Sequence, residues 1–254
     1  MRIFLFLAMV SVWGEPLVIG HRGCRALRPE NTMPAFAHAL AVGADVLELD
    51  VVVTRDNALV VHHDLELAGK RVREMREAEV LAFDRGGTRS AGFARQLLMP
   101  GVRVPRLAEV FAFAKEKGAR LMVETKVDPQ VDAEWFAGAV DGLIRKYGLS
   151  DKVLLQSFDH RTLYAMRKLN PAVGLVLLNP AKRLPDYVGP AKALGVGAIQ
   201  FVNFRVIDKG IVDTLHAAGV KVFSGTTDDP AEWKRLRGLG VDGILTDDPE
   251  GLRR

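Results

Sequence analysis

A histidine and an arginine lie side by side at the end of a short apolar segment near the start of the chain. His21 and Arg22 stand between two glycines and follow directly on Pro16-Leu17-Val18-Ile19, so both are placed at the tip of a predicted buried strand. An imidazole exchanges protons near neutral pH, and a guanidinium binds phosphate or carboxylate through a planar pair of donors. The pair therefore suits chemistry on an anionic substrate.

Two carboxylates, Glu48 and Asp50, alternate with leucines in a second apolar segment. Side chains two residues apart on a strand point to the same face, and burying two like charges without a counter-charge is costly. A divalent cation would resolve this repulsion. Glu124, at the end of the next predicted barrel strand, would add a third oxygen ligand, and an all-oxygen site suits Mg²⁺ or Ca²⁺. The alternative is an ion-pair network with Arg22 and Lys126.

Seven short polar motifs recur in a fixed order along the chain. They are His21-Arg22-Gly23, Pro29-Glu30-Asn31-Thr32, Glu48-x-Asp50, His63-Asp64, Val104-Pro105-x-Leu107-x-Glu109, Glu124-x-Lys126 and Gly240-Val241-Asp242-Gly243-Ile244-Leu245-Thr246-Asp247-x-Pro249. In order and spacing this series resembles the motif series of the glycerophosphodiester phosphodiesterases, from about residue 16 to about residue 252. Each motif alone is a weak signal, but seven in order over most of the chain are specific.

The resemblance implies metal-assisted hydrolysis of a glycerophosphodiester to an alcohol and glycerol 3-phosphate. The 2-hydroxyl of the glycerol would attack phosphorus, and water would then open the cyclic phosphate. His21 and His63 would be the general acid and base, each contributing about 10² to 10⁴-fold to the rate. Arg22 and Lys126 would bind the phosphate and neutralise charge on its oxygens. Asp64 would orient His63, whereas Asp247 would have a structural role in closing the barrel.

One motif of the family differs in this chain. Members often carry Trp-Thr-x-Asn at the end of the seventh strand, and the matching residues are Gly225-Thr226-Thr227-Asp228. The missing ring predicts more room at the mouth of the site, so the preferred alcohol stays open. Two alternative functions remain open. One is an enzyme of the same barrel class that acts on lysophospholipids as a lysophospholipase D, and the other is a non-catalytic phosphodiester-binding protein.

Short apolar segments alternate with amphipathic ones along the whole chain, which predicts a single (β/α)8 barrel. The predicted strands are rich in Val, Ile and Leu, as expected when a parallel sheet is buried on both faces: Leu17–Gly20, Asp45–Val51, Leu121–Thr125, Lys152–Gln156, Val173–Leu177, Ala198–Val202, Lys221–Ser224 and Gly243–Thr246. The predicted helices are Met33–Val42, Leu107–Lys117, Val131–Tyr147, Arg161–Leu169, Pro185–Leu194, Lys209–Ala218 and Pro230–Leu239.

Two local features complete the expected barrel. Residues 65–101 are a mixed, Arg- and Gly-rich stretch that we interpret as a small insertion after the second strand, at the mouth of the site and within one domain of residues 15–254. Asn31 or Thr32 is expected to cap the first helix, with Pro34 in its first turn.

Composition places the chain among ordinary globular proteins. It has 254 residues, of which 48% are hydrophobic and 26% are charged, and its formal net charge is +4. Lysines and arginines are scattered rather than clustered with aromatic residues, so nucleic-acid binding has little support. The partner we expect is a small phosphodiester, and no apolar run is long enough to predict an integral membrane span. Cys24 is the single cysteine, which excludes an internal disulfide.

Residues 1–14 have the layout of a secretory signal peptide. Met1-Arg2 provides one positive charge, and the apolar run Ile3–Val12 follows it. This arrangement favours export to the periplasm or the medium, and cytoplasmic location is the alternative. The same residues could instead form an extra strand or helix that caps the bottom of the barrel.

Overall fold

The computed structural model describes residues 14–179 and 182–254. Its strands are β1 (Leu17–Gly20), β2 (Val46–Val53), β3 (Leu59–Val61), β4 (Glu66–Leu67), β5 (Lys70–Arg71), β6 (Leu121–Thr125), β7 (Val153–Ser157), β8 (Gly174–Asn179), β9 (Ala198–Phe201), β10 (Lys221–Ser224) and β11 (Gly243–Thr246). The eight parallel strands β1, β2 and β6–β11 form the barrel, and β1 closes it by pairing with both β2 and β11. The predicted (β/α)8 fold is confirmed.

Helices alternate with the barrel strands. They are α1 (Met33–Ala41), α2 (Glu77–Leu81), α3 (Leu107–Lys117), α4 (Ala133–Tyr147), α5 (His160–Leu169), α6 (Val188–Leu194), α7 (Lys209–Ala217), α8 (Pro230–Leu239) and α9 (Pro249–Arg253). Side-chain caps decide several of the starts. The Asp132 carboxylate accepts a hydrogen bond from the amide of Trp135 at 2.7 Å, which places the start of α4 two residues after the predicted Val131.

The barrel strands are buried on both faces. One apolar cluster fills the barrel interior and consists of Leu17, Ile19, Val46, Met122, Leu154, Val176, Ala198, Phe223 and Leu245. A larger cluster lies between the strands and the helices and includes Phe36, Phe111 and Phe136. Hydrophobic burial in two concentric layers therefore supports the strands whose ends carry the polar residues.

The insertion contacts the loop that follows β1, at the carboxyl end of that strand. It starts after β3, which pairs antiparallel with β2, and it contains the β4–β5 hairpin, α2 and two short 3-10 turns (Val72–Glu74 and Arg85–Gly87). Its own apolar cluster includes Leu67, Val72 and Val80. Gln96 then ties it to the loop after β1 by donating to the carbonyl oxygens of Arg25 at 2.7 Å and Arg28 at 3.0 Å.

Three further predictions concern a membrane span, the signal peptide and the single cysteine. No helix in the described ranges is long and apolar enough to cross a membrane. The predicted signal peptide at residues 1–14 lies almost wholly outside the described residues, since only Gly14 belongs to them. Cys24 is fully buried and unpaired, and burial raises the pKa of its thiol to about 12, so it packs rather than reacts.

Candidate active site at the carboxyl ends of the strands

Three carboxylates meet at the open end of the barrel. β2 pairs with β6 so that Asp50 stands opposite Glu124, and Glu48 lies one inward-facing position below Asp50. One oxygen from each of the three lies within 4.8 Å of the others, and all three side chains are buried. The strand register therefore brings together the three carboxylates that the sequence predicted as candidate metal ligands.

Two cations flank the carboxylates. The Lys126 Nζ lies 3.2 Å from Asp50 Oδ1 and 2.5 Å from Glu124 Oε1, and the Arg22 Nε lies 3.3 Å from Asp50 Oδ2. Burial alone would raise the pKa of Asp50, but the charges of Lys126 and Arg22 hold it below its ordinary value. The predicted phosphate-binding pair thus stands beside the cluster, and the ion pairs of the alternative interpretation are present.

The ion pairs leave the carboxylates incompletely satisfied. Burial and then the charge of Asp50 raise the pKa of Glu124 to about 7. Burial and the charges of Asp50 and Glu124 raise the pKa of Glu48 well above its ordinary value. Asp50 Oδ1 and Glu124 Oε1 are buried without a hydrogen-bond partner of acceptable geometry. A hard divalent cation bound by these oxygens would remove both the repulsion and the unsatisfied acceptors, so the donor set fits such an ion.

His21 is held between two charged side chains. Its Nδ1 lies 2.7 Å from Oδ1 of Asp247, and its Nε2 accepts from Nε of Arg22 at 3.2 Å. Because an arginine only donates, this network assigns the ring proton to Nδ1. Asp247 therefore orients the ring, and it does so from the strand pairing that closes the barrel, where a structural role was expected.

His63 is held by the next residue in the chain. Its Nδ1 lies 2.6 Å from Oδ1 of Asp64, as the sequence predicted, but Asp64 is largely exposed, at 69% of its side chain. Burial and the positive charges of Lys126 and Arg22 lower the pKa of His63, against the opposing effect of Asp50. The lowered pKa favours the neutral form of the ring.

A strained backbone at Arg22 lets this residue contact two carboxylates at once. Arg22 has a φ of 49°, in the left-handed region that non-glycine residues rarely adopt. In that conformation its amide donates to Oε2 of Glu48 at 2.8 Å while its guanidinium reaches Glu30 at 3.1 Å. Gly23, with a φ of 85°, has no room for a side chain because a Cβ would lie 2.7 Å from the backbone of Ala35.

Glu30 anchors three arginines beneath the site. Its carboxylate lies 3.1 Å from Arg22, 2.5 Å from Arg25 and 3.0 Å from Arg85, the last of which belongs to the insertion. Although burial acts in the opposite direction, these charges lower the pKa of Glu30 to about 2. Glu30 therefore binds Arg22 and links it to an arginine of the insertion.

Asn31 is a site residue that the sequence did not reveal. It was expected to cap α1, but its amide nitrogen donates to Asp50 Oδ2 at 2.8 Å and its oxygen accepts from the Asp50 amide at 3.3 Å. Thr32 occupies the cap position without a side-chain cap and donates instead to the carbonyl of Pro29 at 2.6 Å. Gln156 on β7 was also missed, and it donates to Glu48 Oε1 at 3.0 Å.

The room expected at Gly225 is absent. A Cβ on Gly225 would lie 2.5 Å from the Cβ of Leu245 and 3.2 Å from Nε2 of Gln200. Leu245 belongs to the apolar cluster inside the barrel, so the space beside Gly225 is filled by the barrel core and not by an open mouth. The prediction of extra room at Gly225 was wrong, because the side chain of Leu245 occupies the space beside it.

Comparison with known proteins gives a consistent family. A model of the glycerophosphoryl diester phosphodiesterase family matches residues 21–251. The chain is 31% identical over 247 residues to a glycerophosphodiester phosphodiesterase of Caldanaerobacter subterraneus subsp. tengcongensis, covering 94% of this chain and 96% of that protein. It is 25% identical over 273 residues to a human lysophospholipase D, covering 92% of this chain and 84% of that protein.

Solved structures share the fold. A Silicibacter pomeroyi protein proposed to be a glycerophosphoryl diester phosphodiesterase superposes with a TM-score of 0.90 at 29% identity, covering 97% of this chain and 94% of that one. An Oleispira antarctica phosphodiesterase, solved in complex with the product sn-glycerol-3-phosphate, gives a TM-score of 0.84 at 23% identity over 94% of this chain and 96% of that one. With the family match extending from His21 to the last helix, this chain belongs to the glycerophosphoryl diester phosphodiesterase family.

Proposed function

We propose that this chain hydrolyses glycerophosphodiesters to an alcohol and glycerol 3-phosphate with His21 and His63 as its proton-transferring groups. Glycerophosphodiester hydrolysis follows from family membership, and the observation that carries the residue assignment is the arrangement of the two rings. Each ring is held at Nδ1 by a carboxylate. His21 contacts Arg22, which pairs with Asp50 of the carboxylate cluster, and the charge of Asp50 acts on His63. The Oleispira antarctica relative binds the glycerol 3-phosphate that this reaction would release.

The lowered pKa of His63 supports a role as general base. A neutral ring can accept the proton of the attacking 2-hydroxyl, and donation to the departing alkoxide is then left to His21. The Arg22 Nε would have to leave Nε2 of His21 when that nitrogen carries the proton. Asp50 Oδ2, 3.3 Å away, is the acceptor that is available to it.

We assign the cation as Mg²⁺ or Ca²⁺, held by Glu48, Asp50 and Glu124, because every ligand is a carboxylate oxygen. Such an ion would supply Lewis-acid neutralisation of charge on the phosphate oxygens. Arg22 and Lys126 add two fixed positive charges beside it, and Asn31 and Gln156 hold the carboxylates in place.

A leaving-group test separates the two histidine roles. His21→Ala should lose about 10²-fold or more in kcat on glycerophosphocholine, but much less on the p-nitrophenyl ester of glycerol 3-phosphate, whose leaving group needs no proton. His63→Ala should lose comparable activity on both substrates, because the attacking hydroxyl is the same. Equal losses of His21→Ala on the two esters would contradict the assignment.

A cavity beside the site favours one second candidate, lysophospholipids as substrates. It measures about 540 Å³, opens next to Glu124 and Lys126, and is lined on its other side by the apolar groups of Leu65, Val127 and Phe158. Phe158 is 49% exposed, which is unusual for a large apolar side chain. Turnover of lysophosphatidylcholine faster than glycerophosphocholine, reduced selectively by Phe158→Ala, would establish this candidate. Similar loss in the control Tyr164→Ala, on the outer face of α5, would remove its support.

We further propose that residues 1–14 direct export of the protein to the periplasm or the medium. The single basic charge followed by a short apolar run supports this location. Fractionation of the native host followed by N-terminal sequencing tests it: a processed chain lacking these residues outside the cytoplasm is expected, and an intact chain in the cytoplasm would contradict it.

A further inference from the structure

One carboxylate oxygen fixes the turn that follows the last barrel strand. Oδ1 of Asp228 accepts hydrogen bonds from the Thr246 hydroxyl at 2.7 Å, from the Asp247 amide at 2.8 Å and from the Asp248 amide at 3.3 Å. The Thr246 hydroxyl oxygen also accepts from the Asp248 amide, at 3.1 Å. The backbone on both sides of Asp247 is therefore held by a residue on a different loop, between β10 and α8.

The same turn holds His21. The His21 amide donates to the Thr246 carbonyl at 2.9 Å, and the Asp247 carboxylate meets His21 Nδ1 at 2.7 Å. The Asp247 residue is buried, at 6% exposure, so its carboxylate direction is set by the turn and not by solvent. A continuous series of hydrogen bonds thus runs from Asp228 through Asp247 to the ring.

We propose that Asp228 is a positioning residue of this enzyme: it fixes the Thr246–Asp248 turn, and through Asp247 it sets the orientation and the tautomer of His21. Its kinetic consequences rest on the proposed function, whereas its effect on the ring does not. The family pattern often has asparagine at this position, whose amide oxygen can accept the same three hydrogen bonds. Acceptance by one oxygen, rather than negative charge, is the property that the turn requires.

The kinetic experiment uses three variants of the full chain with glycerophosphocholine as substrate. Asp228→Ala should lower kcat by about 10²-fold with KM within about twofold, because misplacing a proton-transferring ring affects turnover more than binding. Asp228→Asn should recover most of that loss. The matched control is Asp229→Ala in the same loop, which removes a carboxylate that caps α8 through the Ala231 amide at 2.9 Å and should lower Tm without a comparable loss in kcat.

A second readout does not depend on turnover. Long-range ¹⁵N–¹H spectra of the histidine rings, with His21 assigned from its absence in His21→Gln, should show a proton fixed on Nδ1 in the wild type and in Asp228→Asn. Asp228→Ala should show a mixture of tautomers. If the wild type failed to hydrolyse any glycerophosphodiester, the proposed function would be wrong, and these spectra would still decide the positioning role.

Three results would overturn the proposal. They are full activity in Asp228→Ala, equal impairment of Asp228→Ala and Asp228→Asn, and a loss of kcat with an unchanged His21 ring. The first would show that the turn holds without Asp228, the second would make charge the relevant property, and the third would place the effect outside the path through Asp247.

Discussion

The carboxylate of Asp247 lies 2.7 Å from Nδ1 of His21, although the two residues are 226 positions apart in the sequence. The closure of the barrel explains the contact. β1 and β11 pair in parallel with Gly20 opposite Thr246, so the next residue of each strand meets the other at the rim. Barrel closure and ring orientation are therefore one structural event.

This relationship predicts a strong effect of Asp247. Asp247→Ala should lower kcat by about 10²-fold while leaving KM nearly unchanged, because the ring loses the partner that fixes its orientation and tautomer. Asp64→Ala is the comparison, since its carboxylate contacts His63 from an exposed position and should matter less. Steady-state kinetics of both variants test this ranking, and a larger loss in Asp64→Ala would reverse it.

The raised pKa of Glu124 predicts how pH acts on the cation-free protein. A carboxyl whose pKa is raised to about 7 in the folded state and is near 4.5 when unfolded makes folding less favourable as pH rises between those values. His63, whose pKa is lowered, acts oppositely only below about pH 6.5. In chelator, Tm should therefore fall from pH 6.5 to pH 8.

Added Mg²⁺ should reverse this trend, because a cation competes with protons for the same carboxylates and binds more tightly as they ionise. Thermal unfolding at both pH values, with and without the ion, measures the effect. Glu124→Gln should reduce the fall in chelator, and Glu48, whose pKa is also raised, accounts for the remainder. A cation-induced rise in Tm that is smaller at pH 8 than at pH 6.5 would argue against a carboxylate site.

Glu30 should be important for stability as well as for the position of Arg22. Glu30→Gln leaves three buried or half-buried arginines without their shared counter-charge and should cost about 3 kcal/mol of unfolding free energy in urea. Glu79→Gln removes half of an exposed pair with Lys70 and should cost less than about 1 kcal/mol. Equal costs for the two variants would show that the Glu30 cluster is solvated.

The lowered pKa of Glu30 also has a pH signature. Its contribution is fully present above about pH 4.5 and is lost as pH falls toward 2, since protonation then removes the charge that the arginines require. Above about pH 2 the wild type should therefore be the more stable protein, and it should unfold at a lower pH than Glu30→Gln. Below about pH 2 the two proteins should no longer differ in this way.

Gly225→Ala should destabilise the barrel. Its Cβ would lie 2.5 Å from the Cβ of Leu245, so backbone or strand must shift, at about 1–3 kcal/mol. Gly142 on the outer face of α4 is the matched control, because a Cβ there meets nothing within 4 Å. Gly142→Ala should stabilise by roughly 0.5–1 kcal/mol. If urea unfolding gave Gly225→Ala the same free energy of unfolding as the wild type, the strand that carries Leu245 would have to shift at little cost.

The strands and the clustering of Glu48 with Asp50 could be predicted from the sequence, because each depends on local pattern. A strand buried on both faces is a continuous apolar segment, and Glu48 and Asp50 share a face whatever the rest of the chain does. His21, His63, Arg22 and Lys126 were named through motifs, and the structure brings Arg22 and Lys126 within ion-pair distance of Asp50.

The supporting residues could not be found in this way. Asn31 stands where the sequence predicts a helix cap. Its contact with Asp50 is made with a φ of 56°, which the sequence pattern does not predict. Gln156 donates a hydrogen bond to Glu48 although the two residues are 108 positions apart in the sequence, so no local pattern relates them. Asp247 did carry a signal: both it and His21 directly follow strands that must be neighbours when an eight-stranded barrel closes. Applying closure to the strand ends would have paired them.

The Glu48, Asp50 and Glu124 cluster and the His21–His63 pair are expected to act together on a glycerophosphodiester. Release of glycerol 3-phosphate from glycerophosphocholine by the full chain, measured first in chelator and then after addition of Mg²⁺ or Ca²⁺, tests it most directly. We predict no release in chelator, release after addition of the ion, and a loss of about 10²-fold or more in His21→Ala under the same conditions. Full release in chelator would show that the reaction needs no cation at the carboxylate cluster, and no release with either ion would show that the cluster and the histidines do not catalyse it together.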